Sequence, residues 1–369
     1  MNRTDAMSWV GIVCASLRLS QAKTLGVLVE AALKIGQASL ANLGRALVKF
    51  KGGPAKSGIQ RAWRFTSNTR VEVSTAMEGY IRRVVKRRRC KPLIAALDWT
   101  DLRGFWQLAL VVTYKGRSIP LLWASYDQGQ FEKSRNFVEE GMLRLFKSYL
   151  PEGRKVVLLA DRGFGRTELA RTCQELGLDY VIRIQSNVYV RSTAFTGNLE
   201  EFQVRKGIAV VLRDVEYRQK DPVVQHVVIR WKLGLPKKRD EAWFLMTSLE
   251  GTALRISDLY AQRMTIEQVF RDAKNRRNGF ALRNIQITRP DRLDRLVLIL
   301  VLAYLILTGI GMLARRRYPG TTWCTTNRAK ECSMFFIGRQ MVDRMDWSTA
   351  AAVEAVEEAI ARVAPAWLT

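Results

Sequence analysis

The amino-acid sequence predicts an α/β fold with a helical region before it and a β-rich insertion within it. Three observations lead there. Between residues 92 and 184, short continuous apolar runs alternate with stretches of helical period. Such runs suit parallel strands, which need both faces covered by helices. Residues 185–240 instead hold short stretches that alternate polar with apolar, the mark of half-exposed strands. A length of 369 residues leaves room for two or three folding units.

Taken in order, residues 16–48 space their apolar side chains as helices do, with Leu17, Leu25 and Leu28 in one segment and Leu40, Leu43 and Leu47 in the next. A Gly- and Lys-rich break covers 49–58, and helix resumes over 59–65 and 71–85. The run 82–89 (RRVVKRRR) holds six basic residues in eight. It reads as a strip that contacts phosphate, with a solvated linker as the alternative. Strands are expected at 93–97, 106–114 and 119–125, the last two joined by a turn at 115–117. A helix follows at 136–149, a strand at 156–160, a helix at 167–176 stopped by Gly177, and a strand at 180–184. In the insertion, strands are expected at 208–215 and 223–231, before a basic turn at 235–240. A long polar helix covers 258–275. The run 296–314 is uncharged for nineteen residues and ends in Arg315, Arg316 and Arg317. Residues 348–363 form an amphipathic helix suited to packing or to dimerisation. The expected division is 1–90 N-terminal helices, 91–185 first part of the core, 186–250 insertion, 251–317 second part of the core, and 318–369 C-terminal helical region.

Composition excludes much chemistry. The single histidine, His226, rules out a zinc site of several histidines and leaves a Ser-His-Asp triad one candidate, which reads as a strand residue. No phosphate-binding G-x-x-x-x-G-K-[ST] loop occurs. The five cysteines form no C-x-x-C pair, which fits free thiols in a reducing cytosol. The first twenty residues lack the layout of a signal peptide. Sixty Lys and Arg against thirty-four Asp and Glu give a net charge of +26. A field of that size attracts polyanions, nucleic acid first and an anionic membrane surface second. The run 296–314 is long enough to span a bilayer, for which about eighteen apolar residues suffice. Basic residues flank it at both ends, and a helix buried under a sheet is equally apolar all round. It is therefore read as core, and no membrane is expected as partner.

What remains is carboxylate chemistry. Asp98 (in LIAALDWTDL) and Asp161 (in VVLLADRGFG) each follow an apolar run. A lone carboxylate inside such a run would be costly, whereas one at its end can face a cleft. Two acids at one sheet edge call for a cation, and Mg²⁺ prefers a few carboxylate oxygens. The bland alternative makes each aspartate a turn or cap residue. The helix of 258–275 supplies a third acid. At about 100° per residue, Tyr260, Arg263, Glu267 and Lys274 fall within an arc of about 60°, with Arg271 beside them. A metal-binding acid flanked by phosphate-binding cations suits phosphodiester cleavage. The alternative is a solvent face with an Arg263–Glu267 salt bridge.

The spacing Y-x-x-R-x-x-x-E-x-x-x-x-x-x-K, carried here by Tyr260, Arg263, Glu267 and Lys274, resembles the signature of bacterial insertion-sequence transposases of the DDE type, insertion-sequence family four. DWT at 98–100 and DRGFG at 161–165 resemble the family's two earlier acidic motifs. WFLMTS at 243–248 resembles the strand before the signature helix, and WRFTSN at 63–68 the end of the N-terminal region. The resemblance covers roughly residues 20–315 and implies an RNase H-like catalytic core with a β-rich insertion, preceded by an N-terminal helical DNA-binding region. It further implies that Asp98, Asp161 and Glu267 hold two Mg²⁺ ions, with Mn²⁺ able to substitute. Tyr260, Arg263 and Lys274 would grip phosphates. Trp243 stands where relatives that cut through a DNA hairpin stack a flipped base, ordinary strand packing being its alternative and Trp231 the other candidate. Arg271 is a DNA contact without a defined role. The implied activity is cut-and-paste transposition on double-stranded DNA, at transposon ends and target, by a homodimer in a synaptic complex in the bacterial cytoplasm at the nucleoid. The rival reading is a catalytically silent DNA-binding protein derived from a transposase.

Overall fold

The computed structural model describes residues 6–86, 91–114, 116–130, 135–234 and 241–368. The basic residues 87–89, Lys115 of the expected turn and the whole turn 235–240 lie outside the described residues.

Five helices open the chain: α1 (Ala6–Val13), α2 (Leu19–Ile35), α3 (Leu40–Lys51), α4 (Ala55–Ser67) and α5 (Val73–Lys86). The first of them was not expected from the sequence. Gly36 ends α2 at φ 59°, giving its N–H to the Ala32 carbonyl, and the Ser39 hydroxyl caps α3 by accepting from the Asn42 amide. The break after α3 is only Gly52, Gly53 and Pro54, much shorter than expected, because α4 starts directly after the proline. Gly44 and Gly58 face each other across this turn, and a Cβ on either would strike the opposite backbone.

The strands are β1 (Leu93–Leu102), β2 (Phe105–Tyr114), β3 (Arg117–Asp127), β4 (Val156–Ala160), β5 (Asp179–Arg183), β6 (Tyr189–Arg191), β7 (Thr196–Asn198), β8 (Ala209–Tyr217), β9 (Val223–Arg230) and β10 (Trp243–Thr247). They form one sheet in the order β3-β2-β1-β4-β5-β10-β9-β8-β6-β7. β1, β2 and β3 pair antiparallel; β1, β4 and β5 pair parallel. Arg103 (φ 47°) and Gly104 (φ 92°) turn β1 into β2 in two residues, as a tight hairpin requires. Helix α6 (Arg135–Tyr149) links β3 to β4, and α7 (Thr167–Glu175) links β4 to β5. β10 pairs antiparallel with β5, so β6 to β10 prolong the sheet of β1 to β5.

After the sheet come α8 (Ala253–Ala261), a 3₁₀ turn at Gln262–Met264, and α9 (Thr265–Lys274). The sequence reads this stretch as one polar helix; the structure breaks it at the 3₁₀ turn, where tighter winding shifts the phase of everything before it. Helix α10 (Pro290–Arg317) then runs through the interior, and α11 (Met334–Met341) and α12 (Thr349–Ala361) cover it from one side. It is long and apolar enough to cross a membrane, but 94% of its most apolar stretch is buried against α2, α11, α12 and β3. Glycines allow this closeness: a Cβ on Gly309 would overlap the Ala352 carbonyl of α12, and one on Gly311 the Met334 carbonyl of α11. Pro290 and Asp291 in its first turn and Arg315 to Arg317 in its last suit the helix dipole.

Two arginines tie the N-terminal helices to this core. Buried Arg295 of α10 donates to the carbonyls of Val71 (2.9 Å) and Thr66 (3.1 Å) and to the Asp291 carboxylate (2.8 Å), fixing the α4–α5 connection. Buried Glu357 of α12 accepts from Arg83 of α5 at 2.5 Å. The interior also holds a carboxyl. Asp294 accepts from the Ser125 amide at 3.2 Å, and burial pushes its pKa up to about 7, against the lowering by its bonds to Ser125. A carboxyl with a raised folded pKa binds more protons folded than unfolded, so its contribution to stability is lost as pH rises from about 4 to about 7. Replacing it, Asp294→Asn, should therefore leave stability at pH 4 nearly unchanged and raise it at pH 8 by about 1–3 kcal/mol, read as urea midpoints at both pH values. An equal shift at both would show that Asp294 does not titrate there.

Candidate active site

Asp98 is not at the end of its strand, as the sequence suggests. It is the sixth of ten residues in β1 and still pairs with Ala109 of β2. On the other side the parallel ladder ends at Leu97–Ala160, because β4 stops there. Asp98 and Asp161 are thus the next residues after that last pair, side by side where β1 continues and β4 does not. The local reason is chemical. Asp161 caps the 3₁₀ turn Arg162–Phe164, its carboxylate accepting from the Gly163 amide at 2.9 Å, and this turns the chain out of the sheet. The Asp98 carboxylate takes the Trp99 amide at 2.8 Å.

Glu267 reaches the same place from the first turn of α9. The link is Arg263, whose guanidinium donates to Asp98 at 3.0 Å and to Glu267 at 2.9 Å. The Asp98 side chain is 13% exposed and that of Glu267 43% exposed, so the fork joins a nearly buried acid to a wet one. Burial drives the Asp98 pKa up to about 7; Arg263 works against this, while Asp161 and then Glu267 raise it further. Arg263 loses some basicity to burial but is held above its ordinary value by Tyr260 and the three carboxylates.

An open cavity of about 460 Å³ lies over this site, lined by Asp98, Glu267, Arg271, Lys274 and Arg283 among others. Lys274 donates to the Thr100 hydroxyl at 2.6 Å, and burial first, then Arg283, lower its pKa. Asp161, Tyr260 and Trp243 are not part of this lining. Tyr260 is buried, its phenol pushed up to about 12 by desolvation, and it meets Trp243 edge to face with centroids 5.3 Å apart. Tyr260 belongs to α8, before the 3₁₀ turn, and lies beside Arg263, which works against burial in setting its pKa. The Lys232 ammonium lies 4.7 Å over the Trp243 ring. Trp231 lies apart from the acids, under Lys206. His226 sits on β9 and accepts from the Asp214 amide.

Among the described residues, no group of three acids, histidines or cysteines is close enough to share a metal ion. The donor set nonetheless fits a hard cation. All three side chains offer carboxylate oxygen, and Asp161 and Glu267 both raise the Asp98 pKa, so the cluster carries repulsion that a cation would relieve. Sharing a metal between Asp98 and Glu267 requires Arg263 to let go of them.

Sequence reasoning missed the support behind Asp98. The indole N–H of Trp99 donates to buried Glu139 of α6 at 2.6 Å. Glu139 in turn pairs with Arg166, which also reaches Glu140 at 3.3 Å. Arg135 lies 4.5 Å over the Trp106 ring and 5.6 Å over that of Trp99. This network fixes the residue whose amide holds Asp98. An acid at an inward position of the apolar-spaced α6 was its only trace in the sequence.

The model of the transposase DDE domain family matches residues 89–306, more than half of the chain and every residue named in the site. The protein belongs to that family. Membership supports a transposase of nuclease type, suggests transposition and implies DNA as partner; divalent-metal dependence is general in the family. No curated protein was found to match the chain.

Breaking a buried ion pair by removing one partner costs about 3–5 kcal/mol. Glu139→Gln should cost about 3 kcal/mol, the low end, because Glu140 remains on Arg166. Trp99 fluorescence should also change in the folded variant. Loss below about 0.5 kcal/mol with an unchanged spectrum would show that Glu139 does not support the site.

Proposed function

We propose that this transposase is of insertion-sequence family four and moves its element by cut-and-paste. In this reading the strand order β3-β2-β1-β4-β5 is an RNase H-like core, residues 186–250 its insertion, and residues 1–90 a DNA-binding region that reads the inverted-repeat ends. The observation that carries the reading is the Arg263 fork that joins Asp98 to Glu267, with Asp161 near enough to raise the Asp98 pKa, beneath a cavity rimmed by Arg271 and Lys274.

Two Mg²⁺ ions, or Mn²⁺ in their place, would be held by Asp98, Asp161 and Glu267 and would activate the attacking oxygen and stabilise the leaving oxygen. The chain's own residues supply the rest. Arg271 and Lys274 bind phosphate oxygens of the strand in the cavity. Lys274, already desolvated, gives a short bond to Thr100 that a phosphate can replace. Arg263, once released from Asp98 or Glu267, turns its fork to the scissile phosphate. Tyr260 braces Arg263 and Trp243 from behind. Trp243 offers a half-exposed ring for a base flipped out of a hairpin, worth about 1–3 kcal/mol in stacking. A homodimer would hold the two ends together.

Glu267→Gln should abolish Mg²⁺-dependent nicking of end-bearing DNA while end binding persists within about threefold, a change under 1 kcal/mol. Cleavage retained within about tenfold of wild type would remove Glu267 from the catalytic set, and wild-type protein that binds ends but never cuts them would favour the silent derivative. Trp243→Ala should slow hairpin formation about tenfold or more while sparing the first nick, both resolved on a denaturing gel. Equal slowing of the two steps would reduce Trp243 to packing.

A further inference from the structure

A second cavity, of about 510 Å³, lies away from the carboxylates, between the start of β3, the end of α10 and the start of α11. Four cations line it: Arg117, Arg315, Arg316 and Lys330. Among the described residues no carboxylate is in its lining; Glu358 is shared between Arg316 (3.9 Å) and Arg362 (3.3 Å), and Arg117 works against burial in setting the pKa of Asp272. Arg315 is placed by its bond to the Lys330 carbonyl at 3.2 Å. The floor is apolar, made by buried Tyr114, Met312 and Ala359. One wall is Gln268 of α9, whose Oε1 is buried with no hydrogen-bond partner. A buried carbonyl oxygen left unpaired costs about 1–3 kcal/mol, so this wall asks for a donor.

These features define a ligand in three parts. Guanidinium forks at the mouth match phosphate oxygens bidentately. The apolar floor takes a flat or hydrophobic body, and the volume lies within the range of small-ligand pockets, about 300–1,000 Å³. The unpaired Gln268 oxygen accepts from an amino group inside. We propose that this cavity binds a nucleotide unit, phosphate at the arginine mouth and base amine toward Gln268. The unit comes either from a DNA strand leaving the carboxylate site or from a free nucleotide. Gln268 directly follows Glu267 on α9, so an occupant would press on the helix that presents the third acid, from another face. The site does not depend on the assignment of the three acids, because its test is scored by binding alone.

The test uses the full chain in EDTA, with fluorescent dAMP and a fluorescent single-stranded oligonucleotide as probes and inorganic phosphate as competitor. Three variants are compared: Arg315→Ala/Arg316→Ala, the charge-preserving Arg315→Lys/Arg316→Lys, and Gln268→Leu. The arginines are exposed, so their variants should fold, which thermal melting checks. Expected is dAMP binding that weakens tenfold or more in the alanine variant, at least threefold in the lysine variant, and clearly in Gln268→Leu, with phosphate competing. If dAMP fails to bind but the oligonucleotide shows the same losses, the unit comes from the strand. If neither probe is weakened by any variant, or if the lysine variant binds both as wild type does, the cavity is only part of a diffuse basic surface and the proposal is overturned. Both readouts are binding without metal and involve no cleavage, which separates this result from any failure of the cleavage assay.

Discussion

The active face is organised by one guanidinium. Arg263 spans an almost buried aspartate on the sheet and a half-exposed glutamate on a helix, and no backbone contact fixes that spacing as directly. Without a cation at its position, burial and two neighbouring acids would leave Asp98 protonated near neutrality. With it, burial still holds the Asp98 pKa up at about 7, while the same fork ties Asp98 to Glu267. An arginine cannot discharge by losing its proton, so the cluster keeps a fixed positive counterweight at every physiological pH.

The placement of the acids follows from unequal strand lengths. β1 runs on through its hairpin with β2 while β4 stops at Ala160, and the Asp161 cap turns the chain away. The gap so formed admits some solvent to the mid-strand carboxylate Asp98, whose side chain is 13% exposed. Behind it, Trp99, Glu139 and Arg166 hold the strand from the α6 side. Trp99 belongs to both, lining the cavity and bonding Glu139, so a change in the support is felt in the site.

Much of this was legible in the sequence. β4 and the last helical turn before Gly177 lie where their apolar pattern and stop signal put them, because both are local effects. The extent of β1 was not, since DWTDL has no apolar run and the two-residue turn uses Arg-Gly, not the usual Asn-Gly or Asp-Gly. The grouping of Asp98, Asp161 and Glu267 was an expectation from run endings and a motif; Arg263 bonds two of the three, Asp98 and Glu267. The break of the 258–275 helix at Gln262–Met264 was not anticipated, because a 3₁₀ turn of three residues leaves no mark on hydrophobic spacing. The Glu139–Arg166 pair escaped for a different reason: partners from separate elements are invisible to any periodicity. The continuation of the insertion's strands into the main sheet is likewise a matter of edges meeting in space.

Helix α10 has a consequence for how the chain is made. Its twenty-eight residues emerge from the ribosome as a segment indistinguishable, by length and apolarity, from one bound for a bilayer. The helices and strands that cover one side, α2 and β3, are already synthesised and can receive it. Those that cover the other, α11 and α12, are not. Between the two moments a greasy surface faces the cytosolic machinery that sorts nascent proteins. The N-terminal helices therefore act as an early shelter for a segment that would otherwise be misdelivered or aggregate. Truncation before Met334 would remove both late covers and leave it permanently half-clothed.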